Sequence, residues 1–418
     1  MKEETHIVIV GGGFAGVRTA LTLLEYKLPH TKITFIANKP HFEYTPALYR
    51  YVTGNSAMEV CIPFEEIFAK KHIQVIQDTI TRIDKGEKRV FGKSENVYNY
   101  DILVLALGSE TTYFNIPGIQ EYSYGMKTVD EALRLRNHIN ETLLLCREDV
   151  AGGTRFNHDM NFVVIGAGAT GVEMAGRLIQ YTRKSALEIG VNPALISVTL
   201  LEGAEKILPI LPASFTDPIT RHLKKLGVEI MLGSIVLSQD VEEIFLKDAQ
   251  MMASTVIWTS GVRANALYGA SGLPVDKRGK VEVDEHLLVK GEDAMYVAGD
   301  GAITQYSGWA QTAFSDGKFV ADVIKARILQ KKFPMYKASP PVNAIPAGDG
   351  WAAVLTDIFG FKVRIYGRIG WWLRRVADLR SFMLILPLNK AIRVFFGGCI
   401  SEKCIVCKDD KFQAHNID

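Results

Sequence analysis

An internal repeat constrains this chain more than any other feature. The apolar, β-branched run His6–Val10 meets Gly11-Gly12-Gly13-Phe14-Ala15-Gly16, and the same arrangement recurs as Asn161–Ile165 followed by Gly166-Ala167-Gly168-Ala169-Thr170-Gly171. A helix-like segment follows each copy, VRTALTLLEY after the first and VEMAGRLIQY after the second. Strand, G-x-G-x-x-G turn and helix in that order is the context of a dinucleotide fingerprint. The first glycine (Gly11, Gly166) permits the tight turn. The second (Gly13, Gly168) lets a pyrophosphate approach the backbone, and the third (Gly16, Gly171) lets helix and strand pack closely. Each helix N-terminus then presents unpaired N–H groups and partial positive charge to phosphate. One such turn can be a structural glycine turn and nothing more. Two in matching context point to two nucleotide-binding modules in an α/β chain of two Rossmann-like domains.

Ile33–Ala37 and Ser197–Glu202 read as the second strands of the two units. Asp101–Ser109, Thr255–Gly261 and Ala294–Ala302 are further apolar strands ending in glycine, and Trp309–Gln330 reads as a helix. This spacing predicts a first nucleotide domain over residues 1–118 and 285–340, interrupted by a second over 119–284. A C-terminal region, 341–418, follows. At 418 residues the chain is long enough for two or three domains. Its 48 Lys and Arg nearly balance 46 Asp and Glu, which argues against a dedicated nucleic-acid binder. Five cysteines do not make a disulfide framework. Met1-Lys2-Glu3-Glu4 runs directly into strand-like sequence without a signal peptide, and no apolar run reaches 18 residues. The expected location is the cytoplasmic side of the cell membrane, held peripherally.

The basis for membrane attachment lies near the C-terminus. Residues 361–397 carry eight Lys or Arg against the single acid Asp378, with Trp371, Trp372, Phe382, Phe395 and Phe396 among them. On a helix, Trp372, Val376 and Leu379 form one stripe with Arg374 and Asp378 opposite. Leu388, Ala391, Ile392, Phe395 and Phe396 form another, with Lys390 and Arg393 opposite. An apolar stripe beside a basic face suits a helix lying in anionic headgroups, although an amphipathic helix can equally pack on its own core.

Two dinucleotide sites suggest a flavin held permanently and a nicotinamide that comes and goes, with the cofactors carrying the electron chemistry. Glu202 ends the second strand of the second unit, where a carboxylate can bind both ribose hydroxyls and would repel a 2′-phosphate, favouring NADH over NADPH. Ala37 occupies the matching place in the first unit and departs from the usual acid.

These motifs resemble those of the type II NADH dehydrogenases, single-subunit NADH:quinone oxidoreductases of the glutathione-reductase-like, two-dinucleotide-binding flavoprotein superfamily. The resemblance covers nearly the whole chain. It rests on Gly11–Gly16, Pro40–Gly54, Asp101–Ser109, Gly166–Gly176, Thr255–Asn265, Val297–Asp300 and Ala310–Phe314. It implies non-covalent FAD, NADH as co-substrate, a membrane quinone as acceptor without proton pumping, contact with the membrane surface through residues 361–397, and a homodimer. It also implies that Gly11, Gly13, Gly16, Gly108 and Asp300 hold FAD. Gly166, Gly168, Gly171 and Glu202 would hold NADH, and Gly261 joins the cofactor-binding set. Glu173 would lie near the nicotinamide and Gln311 at the quinone, as catalytic residues; no metal is expected. Ser315 replaces the second glutamine of the family's A-Q-x-A-x-Q pattern, and Arg177 stands where relatives carry an acid. A sulfide:quinone oxidoreductase would need paired flavin-side cysteines, which Cys146 and Cys399 do not supply in motif; a disulfide reductase is set aside because Phe42–Pro46 holds no cysteine and Cys61 stands alone. A non-catalytic FAD/NADH redox sensor is the other alternative. Cys399, Cys404 and Cys407, with His415, could form a zinc site, but free thiols are the simpler expectation.

Overall fold

Each glycine turn sits beside the central strand of a five-stranded parallel sheet. The computed structural model describes residues 4–151, 160–358 and 360–400. In the first sheet the strand order is Met295–Val297, Ile102–Leu105, Thr5–Val10, Thr31–Ala37 and Gln74–Gln77. In the second it is Tyr124–Gly125, Thr255–Trp258, Met160–Ile165, Ile196–Leu201 and Val228–Met231. Every pairing within both sheets is parallel. The central strands are covered on both faces, and Ile7, Val8, Ile9, Phe162, Val163 and Val164 are fully buried. That is why they read as unbroken apolar runs and not as alternations.

The two units repeat down to their backbone hydrogen bonds. Gly11 N–H donates to Ile36 O and Gly166 N–H to Leu201 O, both at 2.8 Å. Ala106 N–H donates to Val10 O at 2.7 Å and Thr259 N–H to Ile165 O at 2.9 Å. The chain leaves the first sheet after Leu105, builds the second, and returns as Met295–Val297 in parallel register with Leu103–Leu105. An antiparallel pair, Ser109–Thr111 with Val262–Ala264, joins the segments between the sheets.

Helices Phe14–Tyr26 and Ala310–Ile328 pack against each other at backbone distance. A Cβ on Gly317 would collide with the Ala15 carbonyl. The Thr19 hydroxyl is shared between Ala15 O of its own helix (2.9 Å) and Gly317 O across the contact (3.0 Å).

After residue 341 the fold changes. Strands Asn343–Pro346, Ala352–Ile358 and Phe361–Gly367 form an antiparallel sheet, followed by helices Arg368–Met383 and Leu388–Phe395. The basic stretch therefore begins as a strand. In helix Arg368–Met383, Arg374 and Asp378 do lie opposite Trp372 and Val376, but the charged side faces inward and the apolar side outward. Trp372 and Val376 are 61% and 59% exposed, whereas Arg374 and Asp378 are 7% and 0%. The charges find partners inside, and that reverses the usual arrangement. In the next helix the expected stripe divides. Ala391 and Val394 turn inward, while Leu388, Ile392 and Phe396 stay exposed. Among the described residues no helix is long and apolar enough to cross a membrane.

Gly317→Ala should force the two helices apart and lower stability by about 1–3 kcal/mol. Urea unfolding would show this as an earlier midpoint, with far-ultraviolet circular dichroism unchanged in native buffer.

Candidate active site

The first sheet's turn end, the start of helix Ala169–Glu188 and helix Arg368–Met383 line a cavity of about 1300 Å³, larger than the roughly 300–1000 Å³ of most small-ligand sites. Gly11, Gly13, Gly108, Glu173, Asp300 and Gln311 all line it. Gly16, Gly166, Gly168, Gly171, Glu202 and Gly261 are not among its lining residues.

The glycines of each turn divide by what confines them. Gly11 and Gly166 have φ of +120° and +102°, and a Cβ would strike the Ala106 carbonyl or the Ser260 hydroxyl. A Cβ on Gly16 or Gly171 would strike the carbonyl of Gly11 or Gly166. Gly13 and Gly168 differ, because nothing lies within 4 Å of where their Cβ would be. Both residues precede helices that have no side-chain cap and no acid in the first turn. Each turn thus opens a small space onto unpaired helix N–H groups, which suits a phosphate group. Gly108 likewise has positive φ and open space beside it. Gly261 is tied instead to the inter-sheet segment, where its carbonyl accepts Thr112 N–H at 3.1 Å.

Glu202 braces the second turn. Its Oε2 accepts Ala167 N–H at 2.7 Å and its Oε1 accepts Ala204 N–H at 3.0 Å. Each oxygen keeps a second lone pair. In the first unit the matching Ala37 is buried. Asp300 Oδ2 accepts the Ser109 hydroxyl at 2.7 Å, and Lys127 Nζ donates to that same hydroxyl at 2.9 Å. Lys127 and Ser109 went unnoticed in the sequence, since nothing in their spacing marks them. The preceding residue, Gly299, donates its N–H to the fully buried Asp316 at 3.2 Å. Burial pushes Asp316 up to about 6, against the pull of Tyr336 O–H and Gly299 N–H.

The Gln311 amide is already engaged. Its Nε2 donates to Val342 O and its Oε1 accepts Val342 N–H, both at 3.2 Å. The Ser315 hydroxyl donates to Gln311 O at 3.0 Å. Arg177 donates to Thr53 Oγ1 (3.0 Å) and Asn55 Oδ1 (3.2 Å) and pairs with Asp349.

Glu173 lies in helix Ala169–Glu188 and faces the cavity. Burial pushes its carboxyl up to about 8. Arg374 and Arg50 oppose that rise, and Asp378 adds to it. Behind it is a charge cluster that sequence reading did not assemble. Asp378, fully buried, accepts Tyr44 O–H and Arg50 Nη1–H, each at 2.8 Å, and pairs with Arg374. Arg374 Nη2 also donates to Pro46 O at 2.9 Å. Arg50 Nε donates to Glu59 Oε2 at 2.8 Å, and Arg375 reaches the same oxygen at 3.3 Å. The arginines hold Asp378 below the usual carboxylate range against strong desolvation. Removing one member of such a cluster typically costs about 3–5 kcal/mol. Its one visible signal was Asp378 itself, a lone acid four residues after Arg374 in a basic stretch.

Of the described cysteines, Cys61 and Cys146 are buried and Cys399 is exposed, and none lines the cavity. Cys404, Cys407 and His415 lie outside the described residues.

Residues 5–317 match the model of the pyridine nucleotide-disulphide oxidoreductase family. The chain is 33% identical over 341 residues to the type II NADH:quinone oxidoreductase Ndh of Mycobacterium tuberculosis, covering 77% of this chain and 73% of the relative. It is 29% identical over 410 residues to the type II NADH:quinone oxidoreductase of Staphylococcus haemolyticus, covering 94% and 98%. In fold it is similar to NDH2 from Plasmodium falciparum, solved in complex with NADH (TM-score 0.80, 18% identity, 94% and 97% covered). The sulfide:quinone oxidoreductase of Aquifex aeolicus is also similar in fold (TM-score 0.74, 16% identity, 95% and 93% covered). The chain is thus an enzyme of the pyridine nucleotide-disulphide oxidoreductase family. Within that family it belongs to the type II NADH:quinone oxidoreductases.

A carboxyl held near 8 when folded, against an ordinary 4.5, contributes stability that is complete below about 4.5. That contribution is lost as pH rises through about 8. Glu173→Gln cannot ionise and escapes the loss. Its stability relative to wild type should therefore rise between pH 5 and 8, by up to about 1.4 kcal/mol per pH unit, read from urea midpoints at both pH values.

Proposed function

We propose that this enzyme oxidises NADH at a non-covalently held FAD and passes two electrons to a membrane quinone without pumping protons. The observation that carries the reading is the pair of matching turns whose middle glycines, Gly13 and Gly168, leave open space beside uncapped helix N-termini, Gly13 on the wall of the large cavity and Gly168 at the start of the helix whose Ala169, Thr170 and Glu173 line it. The chemistry supplied by a bound flavin is two-electron transfer between a nicotinamide and a quinone. The relatives from Mycobacterium tuberculosis and Staphylococcus haemolyticus are named for NADH and quinone, which supports both substrates.

The chain's own residues bind, orient and hold protons. Gly11, Gly13 and Gly16 form the turn for the FAD pyrophosphate, with Gly108 and Asp300 along the flavin's length. The Ser109–Lys127 relay steadies the Asp300 carboxylate for ribityl hydroxyls. Gly166, Gly168 and Gly171 form the NADH turn, and Gly261 keeps the neighbouring crossover close to it. Glu202 braces that turn and has lone pairs left for the adenosine ribose; its charge disfavours a 2′-phosphate. Gln311 fixes residue 342 against the cavity rim and so shapes the quinone side. Glu173 carries a proton at neutral pH facing the cavity and is suited to supply it as the quinone is reduced.

The outward side of the C-terminal helices supports a peripheral place on the membrane; the cytoplasmic face is the expectation from the sequence, and a homodimer accords with the resemblance. Ile369, Trp372, Val376, Leu388 and Phe396 are exposed, and Lys362, Arg364, Arg368, Arg380 and Arg393 are exposed near them. Aromatic and aliphatic groups beside free cations fit the headgroup region of an anionic bilayer.

Anaerobic addition of NADH to purified protein should bleach a flavin spectrum, and a soluble quinone should restore it. Bleaching without reoxidation would instead favour a sensor. Glu202→Ala should raise the KM for NADH about tenfold, the effect of about 1.4 kcal/mol, with flavin content retained. Replacing Ile369, Trp372 and Leu388 together by Ser should release the protein from anionic vesicles in sedimentation, because these exposed side chains lie outside both the buried charge cluster and the cavity lining.

A further inference from the structure

The cluster around Asp378 links two surfaces that face different media. Helix Arg368–Met383 presents Trp372 and Val376 outward, while its opposite side carries Arg374 and Asp378 into the interior. There Asp378 gathers Arg50 and Tyr44 from the segment His41–Val52, and Arg374 reaches the Pro46 carbonyl of the same segment. Tyr44, Pro46, Tyr49, Glu173 and Arg374 all line the cavity. One fully buried carboxylate therefore fixes two side chains on the wall that Glu173 faces, Tyr44 and Arg374, and a third, Arg50, behind it.

We infer that Asp378 is a positioning residue: by holding Arg374 and Tyr44 in the cavity wall and Arg50 behind it, it sets the charge presented to Glu173, and it makes that charge depend on how the membrane-facing helix is seated. This rests on the reading above in which Glu173 serves the acceptor, and it names what governs that residue. The groups facing Glu173 are Arg50 and Tyr49 from helix Leu48–Val52 and Arg374 and Asp378 from helix Arg368–Met383. Burial keeps Tyr49 protonated. The two arginines favour an ionised Glu173, and Asp378 opposes them. If the helix lifts, Arg374 and Asp378 move with it while Arg50 stays on helix Leu48–Val52. If Asp378 alone is neutralised, the cations remain and are no longer offset.

The signs differ between variants, which makes the inference testable. Infrared difference spectra of full-length, flavin-loaded enzyme, each variant compared with its own Glu173→Gln counterpart, read the carboxylic acid band of Glu173 across pH without turnover. Asp378→Asn should move the midpoint down by about one pH unit or more, and Arg374→Gln should move it up by a similar amount. The corresponding limb in the pH profile of quinone reduction should follow. A purely structural role would lower activity in both variants and leave both midpoints in place. Unmoved midpoints, or midpoints that move in the same direction, overturn the inference. Should Asp378→Asn not fold, Arg374→Gln decides alone: an upward shift supports the inference and an unmoved midpoint overturns it. Wild-type enzyme that fails to reduce any quinone would defeat the functional reading while leaving these midpoints readable.

Discussion

Backbone meets backbone where each central strand turns into its helix, and much of the architecture follows from that contact. Gly16 lies against the carbonyl of Gly11, and Gly171 against that of Gly166, with no room for a Cβ at either place. The close approach brings each helix N-terminus over the end of its sheet, with its first N–H groups unpaired. The same economy of space recurs at Gly317, which brings Ala310–Ile328 onto Phe14–Tyr26. Side chains of ordinary size would separate these elements and carry the cavity walls apart with them.

Within that frame, charge is distributed by burial. Glu202, partly exposed, remains a brace for its turn. Glu173 and Asp316, desolvated by what packs around them, are pushed up to about 8 and about 6. Asp378 is as fully buried as Asp316, yet goes the other way, because two arginines and a tyrosine hydroxyl stabilise its anion. The comparison shows the rule at work: desolvation alone raises a carboxyl, and direct hydrogen bonds, at Asp378 chiefly from cations, reverse it. Two of these carboxyls, Glu173 and Asp378, are neighbours across the cavity wall. That makes the C-terminal helix an electrostatic part of the site as well as a surface element.

The parts legible in the sequence were those governed by local rules. The turns announced themselves through glycine spacing, and the parallel sheets through apolar runs such as Ile7–Val10 and Phe162–Ile165. The amphipathic character of residues 368–396 was legible as periodicity, but its orientation was not. Periodicity assigns Arg374 and Asp378 to one side of a helix without saying whether that side meets water or protein. Gln311 illustrates a similar limit, since its motif marks a polar side chain while its amide is bound to the backbone at residue 342.

By itself the sequence determined two tandem nucleotide-binding units and the carboxylate that closes the second, because turn geometry and strand ends are set by a few neighbouring residues. Only the tertiary structure decided which distant groups share a wall. Tyr44 and Arg50 meet Asp378 more than three hundred residues further along the chain, and Lys127 reaches Ser109 beside Asp300. The energies of buried charges depend on distance and solvent exclusion, and neither quantity exists until the chain has folded.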